Sequence, residues 1–203
     1  MDVINVTAEA TSFTANAYLV TGERTTLVDA GAMEGVEDVI ARHTDTLDRV
    51  VLTHQHADHV EQVDAVLDTF EADCYAYAPY RHRTHTLADG DEVVVGDERC
   101  TVVYTPGHAD DHVSLVGSRS LFSGDVVVYN DGAFDDGSFG RTDHPGQSRE
   151  RLIESIETLL ERLPEGVERL YAGHGDTYAG NVQAVIERSL ARAKRREPKY
   201  PDG

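Results

Sequence analysis

The chain has 203 residues, of which 40% are hydrophobic and 27% charged, values expected of one ordered domain spanning 1–203. A formal net charge of −19 excludes a nucleic-acid phosphate backbone as the expected partner, because such binding rests on cationic patches that release counterions. No apolar run approaches the length of a membrane span, and the opening MDVINVTAEATSFTANAYLV has neither a basic start nor an apolar block with a cleavage site, so a cytoplasmic protein away from membranes is expected.

Lys194 and Lys199 are the only lysines, and the acids outnumber the bases two to one. Such a surface matches adaptation to high salt, where screening removes self-repulsion. The melting temperature is then expected to rise in molar potassium chloride, and a flat response would mark an ordinary acidic protein. Cys74 and Cys100 are too few for a disulfide framework or a thiolate cage and are expected in the core.

In chain order, β-branched and aromatic runs predict strands near 2–6, 15–20, 25–29, 49–53, 74–78, 92–95, 100–105, 112–116, 120–123 and 168–172. Helical periodicity is expected from about Met33 to His43, from Val60 to Phe70, over SRERLIESIETLLERL with Ser148 as its cap, and from about Asn181 to Arg196. The last helix ends in Arg192, Lys194, Arg195 and Arg196. These cations complement the helix C-terminal dipole or bind a substrate carboxylate.

One pattern recurs five times: an apolar run, a turn of small residues, then an ionisable residue. It gives TLVDAG with Asp29, VVLTHQHADH with His54, His56, Asp58 and His59, VVYTPGH with His108, SLFSGD with Asp125, and RLYAGHG with His174. Residues at the carboxyl ends of buried strands point to a common edge, so five strands can feed one pocket. Imidazole and carboxylate are the usual ligands of zinc and iron. An extended turn puts His54 and His56 on one side, and Asp58 and His59 come where a helix begins. Four such ligands are too many for one tetrahedral ion that keeps a site for water. Two ions fit better, the first with His54, His56 and His108, the second with Asp58, His59 and His174, and Asp125 as a bridge. Asp29 and His112 are expected to stand behind the ligands. Duller readings exist for single residues: Asp58 with Glu61 matches a capping box, and His108 after Pro-Gly suits a turn. His43, His82, His85 and His144 are expected to be surface or structural.

The set Asp29, THQHADH, TPGHADDHVSL, FSGD and AGHG, in this order, resembles the metallo-β-lactamase superfamily. The resemblance implies an α/β fold, a four-layer αββα sandwich with a dinuclear site at one edge. The segment GDVVVYNDGAFDDGSFGRTDHPGQS is similar to the G-R-T-D stretch of short glyoxalase-II-like hydrolases and of persulfide dioxygenases. Diiron flavoproteins of this fold carry glutamate where His56 stands, and its nucleases add an insertion or a second domain, so neither is expected.

The first expectation is a glyoxalase-II-type thioesterase with two Zn2+ and a metal-bridging hydroxide, acting on a small thioester such as a 2-hydroxyacylglutathione, with Asp58 and Asp125 closest to the chemistry. The alternative is a persulfide dioxygenase with one Fe2+ held by His54, His108 and Asp125. A lactone or ester hydrolase, or a metal-binding protein without turnover, completes the set. Both a monomer and a homodimer are compatible with the sequence. Two departures stand out: Glu61-Gln62 where many relatives have a Gly-Gly or Gly-Asn pair, and a single helix after His174 where glyoxalase II has a helical domain that contacts glutathione. Arg141, Arg188, Arg192 and Lys194 are the cations expected to meet a substrate carboxylate.

Overall fold

Period-two alternation along short apolar strands sends successive side chains to opposite faces, and both faces of the resulting sheets are covered. The computed structural model describes residues 2–197. The first sheet has the order β1 (Asp2–Asn5), β2 (Tyr18–Thr21), β3 (Thr26–Val28), β4 (Arg49–Val51), β5 (Asp73–Ala76), β6 (His85–Thr86). The second runs β12 (Tyr178–Ala179), β11 (Arg169–Ala172), β10 (Ser120–Gly124), β9 (Val113–Val116), β8 (Glu98–Tyr104), β7 (Glu92–Val95). Two parallel pairs matter for the site, β3 with β4 and β10 with β11.

In the first sheet Leu19, Leu27 and Val50 face outward onto α1 (Val36–Ala41) and α3 (Val63–Thr69), through Val36, Ile40, Val63 and Val66. Their strand neighbours Tyr18, Val20, Val28 and Val51 face inward and meet Cys100, Val102, Leu115 and Phe122 of the second sheet. On the far side, Val103, Leu121 and Leu170 are covered by α4 (Arg149–Arg162) and α5 (Val182–Arg195). The layers are therefore helix, sheet, sheet, helix, an α/β sandwich of four layers. Cys74 and Cys100 are buried free thiols, one in each sheet.

Ser148 caps α4, its hydroxyl accepting from the Arg151 N–H at 3.3 Å. α1 is shorter than the helix expected from Met33 to His43, and three further features depart from expectation. The helix expected from Val60 to Phe70 is two helices, α2 (Ala57–Val60) and α3, because the Gln62 N–H donates to the Gly31 carbonyl at 3.1 Å and leaves the helical ladder. The capping box at Asp58 does not form: His56 occupies the cap position and Asp58 lies inside the first turn. The strand expected from residue 15 starts at Tyr18, because the Asn16 N–H crosses to the Gly173 carbonyl at 2.7 Å in the other sheet's half of the molecule. Short β6 and β12 carry no alternation to read.

Ile156 sits fully buried between α4 and the second sheet. Ile156→Ala should lower the unfolding free energy by about 2–5 kcal/mol. Urea titration should show a lower midpoint with an unchanged slope.

Candidate metal centre

Five strands that end at one edge of the sandwich deliver ionisable side chains there. β3 delivers Asp29, β4 delivers His54 and, through the turn into α2, His56, Asp58 and His59. From the second sheet β8 delivers His108, β10 Asp125 and β11 His174. The loops of the first sheet are stitched together at this edge: Ala30 and Gly31 N–H donate to the His59 carbonyl at 2.9 and 3.1 Å, and Ala15 N–H to that of Asp58 at 3.1 Å. Asn16 Nδ2 donates to the carbonyls of Ala172 and Gly175 at 2.9 and 3.0 Å.

The seven expected donors fall into overlapping groups. His54, His56 and His108 form one, Asp58, His59 and His174 a second, and His54, His59 and Asp125 lie across them. His56 Nδ1 is 3.1 Å from His54 Nε2 and 2.9 Å from His108 Nε2. Asp125 Oδ2 stands 3.3 Å from His108 Nε2 and 3.4 Å from His174 Nε2, so one carboxylate oxygen faces both groups. Asp58 Oδ2 is 3.0 Å from His174 Nε2.

Proton placement follows from the outer contacts. Asp29 Oδ1 accepts from the Thr53 N–H at 2.8 Å, and its Oδ2 accepts from the Thr53 hydroxyl at 2.7 Å and from His59 Nδ1 at 2.8 Å. Having given its proton to Asp29, the Thr53 hydroxyl accepts from His54 Nδ1 at 3.1 Å. His108 Nδ1 donates to the Arg141 carbonyl at 2.8 Å. In their neutral rings, the Nε2 atoms of His54, His59 and His108 are therefore lone pairs aimed at the centre. His112 is buried with Nδ1 donating to Thr105 Oγ1 at 2.8 Å and Nε2 accepting the Asp125 N–H at 2.9 Å, so it holds the Asp125 backbone and does not reach the cavity.

The electrostatics are those of a site short of positive charge. Burial alone would raise the Asp125 carboxyl, but His174, His59 and His108 outweigh it and hold the acid well below its ordinary range. Burial opposes charge on His59, yet Asp125 and Asp29 lift it well above the usual imidazole value. Burial, with crowding by neighbouring imidazoles, pushes His54 and His108 down and His112 to about 3.

The donor set fits a metal on three counts. The buried Asp125 Oδ1 and His59 Nε2 have no hydrogen-bond partner and face each other at 3.4 Å, orphans that an ion would satisfy. The nitrogens of His54, His56 and His108 lie near the ~3.3 Å separation that tetrahedral bonds of about 2.0 Å require. Gly173 leaves room beside them, since a Cβ there would meet Asp125 Oδ1 at 2.2 Å.

The centre floors a cavity of about 1150 Å³ lined by His56, Asp58, His108, Asp125 and His174. Of the cations expected to meet substrate, Arg141 lines it, with its guanidinium engaged by Asp143 at 2.9 and 2.8 Å. Arg188, Arg192 and Lys194 do not. Arg188 Nε donates to the Asp136 carbonyl at 2.7 Å, Arg192 bonds the Gly137 carbonyl and Asp136 and stacks over Phe134, and Lys194 pairs with Glu157. Nor are these cations merely complements of a helix dipole, because the two arginines clamp the 134–137 loop. His144, expected to be surface or structural, is exposed and also lines the cavity. Thr53 and Phe13 were missed by the sequence reading. Thr53 is signalled by its place directly before His54, whereas Phe13, 78% exposed and stacked on His174 at 5.2 Å, lies in a loop with no periodic signal.

Residues 10–88 match the metallo-beta-lactamase superfamily. Curated relatives include hydroxyacylglutathione hydrolases from Hydrogenovibrio crunogenus, 33% identical over 52% of this chain and 40% of theirs, and from Vibrio cholerae, 36% identical over 50% and 41%. The chain thus spans about two fifths of the length of these relatives. Among solved structures, the ETHE1 protein of Myxococcus xanthus aligns with a TM-score of 0.72 at 26% identity, over 89% of this chain and 80% of that one. The BLEG-1 B3 metallo-beta-lactamase aligns at 0.68 with 29% identity, over 81% and 88%.

Asp29→Asn removes the charge and one of the two acceptor oxygens that fix two imidazoles. Metal affinity, measured by competition with a chromogenic chelator, should fall about 10–100-fold.

Proposed function

We propose that this chain, which carries a metallo-β-lactamase superfamily domain, is a metal-dependent hydrolase of the glyoxalase II type that cleaves a small thioester. The observation that carries the reading is the sharing of Asp125 between two complete donor groups, three imidazoles on one side and Asp58, His59 and His174 on the other. His54, His56 and His108 would hold one ion, Asp58, His59 and His174 a second, and Asp125 would serve both; two zinc ions suit this oxygen and nitrogen set. Bound there, the metal supplies a water deprotonated near neutral pH and polarisation of the carbonyl oxygen.

The chain's own residues do the rest. Asp29, through His59 directly and His54 by way of Thr53, keeps the inward nitrogens free of protons. The Arg141 carbonyl does the same for His108. Asp58, with 22% of its side chain exposed against 6% for Asp125, is the carboxylate open to the cavity and suited to take the proton of the attacking water. Water adds to the thioester carbonyl, the C–S bond breaks, and a carboxylic acid and a thiol leave. The cavity is large enough for both an acyl group and a thiol arm.

A persulfide dioxygenase with one iron on His54, His108 and Asp125 is the second reading, favoured by Asp125 Oδ2 standing 3.3 Å from His108 Nε2. It leaves His56, Asp58, His59 and His174 without a ligand role, and of these His59 is fully buried with its Nε2 unpartnered, which is costly.

Metal analysis of protein purified without added metal should give two zinc per chain, with hydrolysis of S-lactoyl thioesters that stops on chelation. His174→Ala should lose one equivalent. One iron per chain with persulfide-dependent oxygen uptake, and metal content unchanged in His174→Ala, would overturn the hydrolase in favour of the dioxygenase.

A further inference from the structure

Six aspartates line the cavity: Asp58, Asp110, Asp111, Asp125, Asp131 and Asp176. Asp58 and Asp125 belong to the donor groups. The other four stand on the walls, Asp110 and Asp111 in the loop after His108, Asp131 and Asp176 beside His174, where Asn130 Nδ2 donates to Asp176 at 2.6 Å. Against them the lining offers one arginine, Arg141, and no lysine. The Arg141 guanidinium forms a two-point pair with Asp143, so its charge is already matched. Arg151 answers Asp110 from outside. Asp111 and Asp176 make no ion pair with arginine or lysine among the described residues.

A cleft lined by one sign of charge concentrates ligands of the other sign and repels its own. The metal ions would compensate the floor, where the acyl carbonyl sits, and leave the walls negative where the thiol arm must lie. The three cations that the sequence offered for a substrate carboxylate are absent from this wall, spent instead on Asp136, the Gly137 carbonyl and Glu157. At the rim, Phe13 presents an exposed aromatic ring beside the same wall, a surface suited to an alkyl stem or a cation over its face.

We infer that the cavity selects thioesters whose thiol arm carries a positive charge, an aminoalkyl thiol being the simplest, over arms of net negative charge such as glutathione. The inference rests on the thioesterase reading for the identity of the reacting group, but it concerns the walls and is tested by binding.

The probes are three non-hydrolysable thioethers, S-hexylcysteamine, S-hexylmercaptoethanol and S-hexylglutathione, titrated calorimetrically into zinc-loaded protein at one fixed salt concentration. The amine should bind at least about tenfold more tightly than the alcohol, and the glutathione conjugate most weakly. The Asp111→Asn, Asp176→Asn double variant, checked for fold by circular dichroism and for zinc content, should shrink the amine-to-alcohol ratio roughly fivefold. A pair of distant surface changes, Asp68→Asn with Glu71→Gln, should leave the ratio alone.

Equal or tighter binding of the glutathione conjugate, a ratio unmoved by the wall variant, or no binding of any probe at millimolar concentration would each overturn the inference. Failure of the thioesterase reading would show separately, as absence of turnover of every S-lactoyl thioester whatever the order of binding.

Discussion

A carboxylate that does not line the cavity governs which atoms do. Asp29 follows β3 with a positive φ of 58°, a conformation that aspartate tolerates better than most side chains, and its backbone N–H is tied to Val51 of β4. From that fixed point it accepts three hydrogen bonds, and each one removes a degree of freedom at the centre. The bond from His59 puts that ring's proton on the outer nitrogen. The two from Thr53 pin the backbone at the end of β4 and turn the hydroxyl into an acceptor for His54. One acid thus sets two imidazoles from the same sheet. The second sheet uses a different device for the same purpose, the Arg141 carbonyl behind His108 and the His112 ring behind the Asp125 backbone.

These outer contacts explain how the last helix, which does not line the cavity, acts on the site through the loop from 130 to 147, which does. Arg188 and Arg192 of α5 hold the 134–137 stretch by its carbonyls, by Asp136 and by the Phe134 ring. Gly140 and Arg141 follow directly. Gly140 packs so closely that a Cβ would meet the Asp125 carbonyl at 2.2 Å and the His108 ring at 2.8 Å. The orientation of His108 therefore depends on a chain of contacts running back to α5. An arginine that reads from its position as a substrate ligand can act on the site by holding a loop.

Much of this was legible in the sequence where short-range rules decide. Runs of β-branched and aromatic residues located the ten principal strands, and the amphipathic stripe with Ser148 located α4, because both follow from local geometry and burial. The convergence of His54, His56, Asp58, His59, His108, Asp125 and His174 followed from one rule, that strand ends share an edge. What escaped depends on partners far along the chain. No glycine or proline marks the break at Gln62; the Gly31 carbonyl, thirty-one residues earlier, makes it. The basic end of α5 reads the same whether its partner is solvent, substrate or the carbonyl of Gly137. Phe13 stands alone in a polar loop, and only the position of His174 gives its ring a neighbour.

The same contacts set a conflict between folding and binding. Desolvating three imidazole lone pairs and the Asp125 carboxylate costs free energy, and the fold recovers little of it locally, since Asp125 Oδ1 and His59 Nε2 remain without partners. An ion set between them would satisfy both atoms at once. Asp29 acts on the site in two ways: its charge favours a cation close by, and its hydrogen bond fixes the His59 proton on the outer nitrogen. A residue in that position cannot be replaced by its amide without losing both effects, because asparagine keeps the size but gives up the charge and half of the acceptor capacity. The sequence keeps an aspartate there at the cost of a left-handed backbone, which is where the demands of the site outweigh those of the strand that carries it.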